Sequence, residues 1–341
     1  MTIRDQASLK PHNTLALPAV AERFVVVESL PQLQQVLAQA RQQGWPITLL
    51  GGGSNVVLAA DIPGLVIKVA LPGIEVIAET TDSVQVTVAA GEDWHNFVLH
   101  SLGQGWYGLE NLSLIPGTLG AAPVQNIGAY GVELADRLLS VDVVYLDSGK
   151  QQTLTRDQCQ FGYRDSVFKH SLKDKVVITA VTLELSKQPQ LVLDYPALQQ
   201  ALNDLKPEQV TPLVVSEQVC DIRRSKLPDP ATEPNAGSFF KNPVVSAEQT
   251  QTLRQRFADL VAYPQPGGNS KLAAGWLIEK AGWKGHRLGD ITVHHRQALV
   301  MVNCGEATGA ELLAVAQQVV ASVQEMFGVT LEMEPRVLPG V

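Results

Sequence analysis

The chain is poor in the features that would tie it to a metal, a nucleic acid or a membrane. Its three cysteines, Cys159, Cys220 and Cys304, are odd in number, far apart and outside any C-x-x-C or Cys/His pairing, which argues against a disulfide framework and a zinc site and leaves buried or incidental thiols as the expectation. Of the seven histidines, His294 and His295 are adjacent and His95 and His100 are five apart, so neither pair has the i, i+4 spacing of helical metal ligands. No metal is expected. Lys and Arg number 26 against 34 Asp and Glu, the net charge is −8 and no basic run occurs; the electrostatic footprint of a nucleic-acid binder is missing. No apolar run is long enough to cross a bilayer, and the opening MTIRDQASLKPHNT has no signal-peptide apolar core, so a soluble, cytoplasmic protein is expected. Neither G-x-x-x-x-G-K-[ST] nor G-x-G-x-x-G occurs, which sets aside a P-loop and an ordinary Rossmann fingerprint. G-x-S-x-G is absent too, which disfavours a serine hydrolase.

What the chain does have is 45% hydrophobic and 18% charged residues, with 27 glycines and 20 prolines, enough for a globular protein of two or three domains. FVVVES reads as a strand. Ser29 caps a helix with Pro31 in its first turn, Leu33, Val36, Leu37 and Ala40 on one face, and Gly44 as its stop. ITLL then runs into glycines, and LVIKVA follows. From Val84 the pattern becomes β-rich: VQVTVAAGE, a capped helix in DWHNFVLHSLG, a long Gly/Pro-punctuated stretch, then VDVVYLD and VVITAVTLEL. The prolines of KLPDPATEPNAGS suggest a linker. Beyond it, Ser246 and Gln249 open one helix, and KLAAGWLIEKAGWKG reads as a second through Leu272, Trp276 and Leu277. Thr308 and Glu311 form the capping box of a third, with Leu312, Val315, Val319, Val323 and Met326 on its apolar face and Gly328 at its end. ITVHHRQALVMVN and VTLEMEPRVL each read as one strand.

Two glycine-rich segments carry chemistry. LLGGGSNVV, at 49–57, follows a strand; glycines let backbone N–H groups close on an anion, and a nest of them binds phosphate without cations, although a tight strand-to-strand turn explains the same residues. The second, NLSLIPGTLGAAPVQNIGAYGVE at 111–133, is too irregular for helix or strand and too long for a simple connection. Two small-residue nests could grip a diphosphate from both sides, with Ala121 and Ala122 letting a flat ring lie against the backbone. The alternative is a packed surface loop.

GGGSN at 51–55, PGTLGAAPVQNIGAYG at 116–131, FGYRDS at 161–166, NAGSFFKNP at 235–243 and LEMEPR at 331–336, in that order, closely resemble the UDP-N-acetylenolpyruvoylglucosamine reductase family of peptidoglycan precursor synthesis. The resemblance implies an α+β / α/β protein: a vanillyl-alcohol-oxidase-type (PCMH-type) FAD-binding fold of two domains, at 1–71 and 72–227, plus a third, α+β substrate-binding domain at 228–328, and a C-terminal strand at 329–341 returning to the active site. It also implies non-covalent FAD, NADPH as reductant and UDP-N-acetylglucosamine enolpyruvate as substrate, in a monomer. No histidine lies within 51–55 or 111–133 to tether the flavin.

By motif match, the cofactor positions are Gly51, Gly52, Gly53, Ser54 and Asn55; Pro116, Gly117, Gly120, Ala121, Ala122, Asn126, Gly128, Ala129, Tyr130 and Gly131; and Arg223. Tyr195, Lys226, Asn242, Tyr263, Lys284 and Arg336 match substrate-contacting positions, and Tyr263 with its Pro/Gly-rich surroundings resembles the mobile substrate loop of one subclass. Hydride addition to the vinyl CH2 leaves negative charge on the neighbouring carbon and its carboxylate, which must be stabilised and then protonated. The resemblance casts Arg164 as the cation facing the carboxylate, Glu334 as its acidic partner and Ser238 as the proton donor. Read without it, Arg164 and Asp165 make an ordinary surface ion pair, Glu332 and Glu334 share a strand face, and a serine beside glycine is a turn residue. Gly237 is expected to allow close backbone approach, Phe239 and Phe240 to anchor the segment in a core, and Lys241 and Asn242 to lie near the polar ligand. Pro335 stands where the family commonly has valine and removes one N–H, which puts the pairing beside Glu334 in question. Two other functions remain open: an FAD oxidase of a small alcohol or sugar on the same fold, and a non-catalytic nucleotide-sugar binding protein.

Overall fold

The capping signals of the sequence become helix ends. The computed structural model describes residues 2–340. Helix Leu30–Gln43 starts where the Ser29 hydroxyl accepts the Gln32 N–H at 3.4 Å and stops at Gly44 with φ 67°; Leu33, Val36, Leu37 and Ala40 are its buried face. Asp93 caps Trp94–Gly103 by accepting from Asn96 N–H at 2.9 Å. Thr308 and Glu311 satisfy each other's backbone at the start of Gly309–Phe327, and Gly328 ends that helix at φ 64°.

The described residues divide into two compact units. One holds the chain up to Ala7, Ala21–Gly52 and Pro63–Ser225. In it Arg4–Ser8, Val20–Val27, Ile62–Val69 and Ile47–Leu50 form a four-stranded sheet in that spatial order, with the last two parallel and Ile47 opposite Leu65. A five-stranded antiparallel sheet runs Gln151–Thr155, Leu138–Tyr145, Val176–Ser186, Ser83–Ala89, Ile74–Glu79. Alternation is clean in Ser83–Ala89, where Val84, Val86 and Val88 are buried between half-exposed neighbours. They share one apolar core with Trp94, Phe97, Val181 and Leu183. Helix Pro212–Lys226 packs Val215 and Val219 on Leu198 and Leu202 in a smaller cluster that Tyr130 joins.

The second unit holds Ser8–Val20, Gly53–Ile62 and the chain from Lys226 on. Its main sheet has the order Asn235–Ser238, Val300–Asn303, Ile291–Val293, Arg287–Leu288. A three-stranded sheet is formed by Val244–Val245, Ser270–Leu272 and Ala262–Pro264, and Arg336–Leu338 pairs in parallel with Val56–Leu58. Helices Ala247–Arg256, Ala274–Lys280 and Gly309–Phe327 complete it.

Several readings of the sequence are corrected here. The segment 291–303 is two strands, because His294–Leu299 turns back and Val300 N–H bonds the Gln297 carbonyl at 3.0 Å. Of 329–338 only Arg336–Leu338 is a regular strand; Glu334 N–H reaches the Phe239 carbonyl at 2.9 Å and Arg336 N–H the Asn55 carbonyl at 3.0 Å, so the chain changes partners across Pro335, which has no N–H to offer. The middle helix spans only Ala274–Lys280, since Leu272 pairs in a hairpin and the Asn242 side chain takes the Ala274 N–H at 2.9 Å. The proline-marked linker ends in a strand, Asn235–Ser238. Met326 is 37% exposed and off the apolar face, which closes instead on Phe327, 3% exposed, whose ring packs at a tilt against Phe257 and Trp276. The 3.6-residue period puts the fourth residue after Val323 on the core side, and the aromatic ring gains far more from burial than an exposed thioether. Phe327→Ala is therefore expected to cost about 3–5 kcal/mol in urea unfolding, as large-to-small core changes do, while Met326→Ala stays within about 0.5 kcal/mol; equal losses would mean the face is misassigned.

Candidate active site

The long loop of the first unit is neither helix nor strand because side chains, not a regular ladder, satisfy it. It contains the tight turns Glu110–Leu112 and Leu119–Gln125 and the two-residue strands Gly128–Ala129 and Val132–Glu133. Three of its residues adopt left-handed backbone without being glycine: Leu114 at φ 59°, Asn126 at 44° and Tyr130 at 49°; elsewhere in the same unit Arg164, at 54°, does so too, as do Gln6, Gln160 and Asp174. Each such residue costs on the order of 1–3 kcal/mol and persists only where its surroundings fix it.

The surroundings do so. Leu114 N–H donates to His95 Nδ1 at 2.9 Å while its carbonyl accepts from Arg223 Nε at 3.2 Å. Asn126 donates to Glu133 Oε2 at 2.6 Å and to the Gly162 carbonyl at 3.2 Å, and accepts the Ala135 N–H at 3.0 Å. Asn111 bonds the Tyr130 carbonyl at 2.9 Å and that of Val192 at 2.8 Å. Ser113 and Ser216 share a buried hydroxyl pair at 2.7 Å. Arg164 donates through Nη2 to the Gly128 carbonyl at 2.6 Å, and Lys169 Nζ holds the Arg164 carbonyl at 2.9 Å. Asp165 turns to His170, at 2.8 Å, so the simple Arg164–Asp165 ion pair is not what the structure builds.

The two glycine-rich segments meet here. A Cβ on Gly51 would stand 2.9 Å from Thr118 Oγ1, and one on Gly52 3.1 Å from Gly117 Cα; only glycine lets these backbones approach. Arg164 is near enough to disfavour the charge of Arg223. Burial chiefly lowers the Arg223 pKa, with Tyr130 opposing it through a side-chain hydrogen bond. Burial also raises the Tyr130 phenol, whose ring meets Tyr195 edge-on at 5.1 Å. His95 is held below the usual imidazole value, first by burial and further by Arg224 and Arg223, with Asp93 opposing; a neutral ring matches its role as acceptor. Backbone N–H groups free of side chains, two cations and an edge-to-face aromatic pair are a set of groups suited to a flavin nucleotide with its diphosphate.

In the second unit Ser54 and Asn55 follow Gly53, whose φ is 69° and whose missing Cβ leaves room for the His12 carbonyl. Thr14 N–H bonds the Gly53 carbonyl at 3.0 Å and its hydroxyl the Ser54 carbonyl at 3.4 Å. Asn13 fixes that turn by accepting from Leu17 N–H at 2.9 Å. Ser238 is half-buried at the end of its strand, opposite Val300; Phe239 and Phe240 are buried, as expected, at 0% and 2% exposure. Glu334 N–H on the Phe239 carbonyl and a Phe240–Met333 bridge bring the Glu334 segment alongside. Lys241 forms an ion pair with the exposed Glu332, and Asn242 caps a helix; both have structural work besides any ligand. Arg336 N–H donates to the Asn55 carbonyl at 3.0 Å. Lys284 pairs with Glu279 at 2.9 Å, Lys226 is exposed at a helix end, and Tyr263 is 47% exposed on a hairpin strand. Asn13, Thr14 and Asn111 belong to no family motif in the sequence, and His95 is marked there only by the capped helix start before it.

A sequence profile described as "UDP-N-acetylenolpyruvoylglucosamine reductase, C-terminal domain" matches residues 229–338, and one described as "FAD binding domain" matches 21–155. The chain is 52% identical over 339 residues to the UDP-N-acetylenolpyruvoylglucosamine reductase of Chromobacterium violaceum, covering 99% of both proteins. It is 48% identical to that of Pseudomonas aeruginosa, covering 98% of each. The chain belongs to the UDP-N-acetylenolpyruvoylglucosamine reductase family. Among solved structures, the reductase from Thermus caldophilus superposes with a TM-score of 0.70 at 25% identity, covering 99% of this chain and 100% of that one. The fold is therefore the two-domain FAD-binding fold with a C-terminal domain, and the protein is an FAD-containing oxidoreductase of peptidoglycan precursor synthesis, with NADPH as reductant and the enolpyruvyl ether of UDP-N-acetylglucosamine as the group reduced. Membership of this family removes the small-alcohol oxidase and the non-catalytic binder as readings.

Among the described residues no cluster of three or more His, Cys, Asp or Glu side chains could hold a metal ion, and no helix is long and apolar enough to cross a membrane. Cys159 and Cys220 are buried, the former's thiol pushed up to about 11 by burial, and Cys304 is exposed.

The close approach at Gly52 gives a test that needs no turnover. Gly52→Val should lower flavin content, read as absorbance per protein, while Gly103→Ala, where an added Cβ meets nothing, leaves it unchanged. Acid precipitation of the wild type should release all the flavin to the supernatant. Flavin retained in the pellet would overturn non-covalent attachment, and full content in the valine variant would refute this cofactor site.

Proposed function

We propose that Arg164, Ser238 and Glu334 carry the reduction of the enolpyruvyl group. FAD, held by Gly51–Asn55, the 116–131 loop and Arg223, would supply the hydride that turns the vinyl CH2 into a methyl group, with NADPH as the source of electrons. The charge left on the adjacent carbon spreads into the carboxylate. Arg164 stabilises that charge, Glu334 shares the task as an acidic partner, and the Ser238 hydroxyl protonates the carbon, completing the lactyl ether. Serine is a weak acid, but an enolate carbon is a strong enough base to take its proton in a site from which water is excluded. The observation that carries this reading is the 2.9 Å bond from Glu334 N–H to the carbonyl of Phe239, the residue after Ser238, since it ties the two motifs to one backbone junction. The left-handed Arg164 lends support, because strained backbone gathers at functional sites.

In the same reading Gly51–Asn55, the 116–131 loop and Arg223 hold the flavin nucleotide. Tyr195, Lys226, Asn242, Tyr263, Lys284 and Arg336 contact the UDP-sugar, with Lys284 leaving Glu279 to do so and the Tyr263 hairpin closing over the ligand. The enzyme works as a cytoplasmic monomer, where both nucleotide substrates are made; its net charge of −8 gives nucleic acid nothing to bind. On this reading the domains are 1–71 and 72–227 for the cofactor and 228–328 for the substrate, with the C-terminal segment that follows carrying Arg336 on the short strand Arg336–Leu338.

Arg164→Ala and Glu334→Gln, reconstituted with FAD, should leave flavin reduction by NADPH close to wild type and slow reoxidation by substrate about 10²-fold or more. Stopped-flow traces in which both half-reactions fall equally would make the two residues structural. Ser238→Ala should keep its flavin and slow reoxidation by roughly 10²–10⁴-fold, with Ser238→Cys losing less because it keeps a transferable proton. An alanine variant as fast as wild type in single turnover would reduce the serine to a turn residue.

A further inference from the structure

His294 is the buried titratable group that none of these roles uses. It is 1% exposed, between strand Ile291–Val293 and the turn that leads to Val300–Asn303. Its Nδ1 accepts two backbone N–H groups of that turn, from Arg296 at 3.4 Å and Gln297 at 3.3 Å. An atom that accepts cannot carry a proton, so the ring is the Nε2–H tautomer. Nε2 is buried without a hydrogen-bond partner, and the nearest carboxylate, Glu233 Oε2, stands 3.7 Å away. That is an ion-pair distance and too long for a hydrogen bond.

Both sides of this ring lead to Ser238. On the Nδ1 side, His294 N–H bonds the Val300 carbonyl at 2.8 Å, Val300 is the register partner of Ser238, and the Leu299 carbonyl takes the Phe239 N–H at 2.7 Å. The turn that Nδ1 organises thus sets the strand against which the serine lies. On the Nε2 side, the Glu233 carbonyl accepts from Asn235 Nδ2 at 2.7 Å, and Asn235 Oδ1 accepts the Gly237 N–H at 2.8 Å. Gly237 has φ 69°, and the peptide it sets leads directly into Ser238.

We propose that His294 is a positioning residue for Ser238: its neutral Nε2–H ring clamps the 294–300 turn through Nδ1 and faces Glu233 on the other strand approach, and protonation releases that clamp. The inference rests on Ser238 being the proton donor. A proton on Nδ1 would point at two N–H groups, so the protonated ring must break both bonds. The charged or titratable groups that bear on it are Glu233, which favours protonation, and His295 and Arg296, which oppose it; burial is the largest influence and holds the pKa below the usual imidazole value of 6.5. Between the lowered value and 6.5 the unfolded chain binds more proton than the folded one, so this group's contribution to stability is complete above 6.5 and is lost as pH falls through that window.

Three substitutions separate the parts. His294→Asn places an amide oxygen near the Nδ1 position and cannot titrate there; His294→Gln places its amide near Nε2; His294→Phe keeps the volume and neither polar atom. Single-turnover reoxidation of reduced flavin by substrate is expected to fall about tenfold or more in His294→Phe, to stay within a few-fold of wild type in His294→Asn, and to be intermediate in His294→Gln. Flavin reduction by NADPH stays near wild type in all three. Wild-type reoxidation is expected to show an acid limb below pH 6.5, and that limb should flatten in His294→Asn. In a double-mutant cycle His294→Phe should add nothing to Ser238→Ala, because a positioning residue has nothing left to position. Additive losses, an unchanged acid limb in His294→Asn, or a His294→Phe variant as fast as wild type would each overturn the proposal. A Ser238→Ala variant that is itself unimpaired would instead overturn the proton-donor reading, which keeps the two failures distinct. Should His294→Phe fail to fold, the acid limb of His294→Asn and its stability between pH 5 and 7 still decide the matter.

Discussion

The cofactor side of this protein depends on the approach of one backbone to another. Gly51 and Gly52 lie so close to Gly117 and Thr118 that a methyl group on either glycine would push into its neighbour. Removing side chains from the junction leaves peptide N–H groups as its chemistry, and such groups hold anions without the entropy cost of ordering long cationic side chains. It also explains why the second segment cannot be a helix or a strand. A chain that must present its backbone to a partner segment and to a ligand has to satisfy its remaining polar groups one at a time.

That requirement accounts for the run of left-handed residues. Leu114, Asn126, Tyr130 and Arg164 are individually unfavourable, and each is held by hydrogen bonds from elsewhere in the unit: His95 and Arg223 at Leu114, Glu133 and Gly162 at Asn126, Asn111 at Tyr130, Lys169 at Arg164. The bonds run from 2.6 to 3.2 Å and are all partly buried, so the strain is fixed rather than averaged away. Arg164 thereby has one guanidinium nitrogen committed to the Gly128 carbonyl, which ties the cation to that loop.

The C-terminal unit uses a different device. Ser238 is placed by an Asx turn on one side, where Asn235 binds the Gly237 N–H, and by a β-ladder on the other, where Val300 and Leu299 hold Ser238 and Phe239 in register. Phe239 and Phe240, packed edge to face at 5.3 Å, anchor the junction. Pro335 then becomes intelligible. Glu334 donates to Phe239 and Arg336 to Asn55, so the chain changes partners across Pro335, where a missing N–H costs no ladder bond.

Helix ends and apolar faces were legible in the sequence because they are local: Ser29, Asp93 and Thr308 cap within three residues, and Gly44 and Gly328 stop the helices they follow. The motifs named the segments at 51–55, 116–131, 161–166, 235–243 and 331–336, and with them the family. Sequence periodicity failed where a polar group far along the chain set the local conformation. Asn242 shortens the Ala274 helix, and the His294 turn splits what reads as one strand. Likewise nothing near Asn13 or His95 in sequence shows that one braces the Gly53 turn region and the other the Leu114 peptide. Those contacts join positions that only folding brings together, since a hydrogen bond is fixed by distance and angle in space and leaves no period along the chain. The sequence by itself determined the elements, the chemistry available and the family; the tertiary structure decided which backbones touch, which arginine faces which carbonyl and what holds the serine in place.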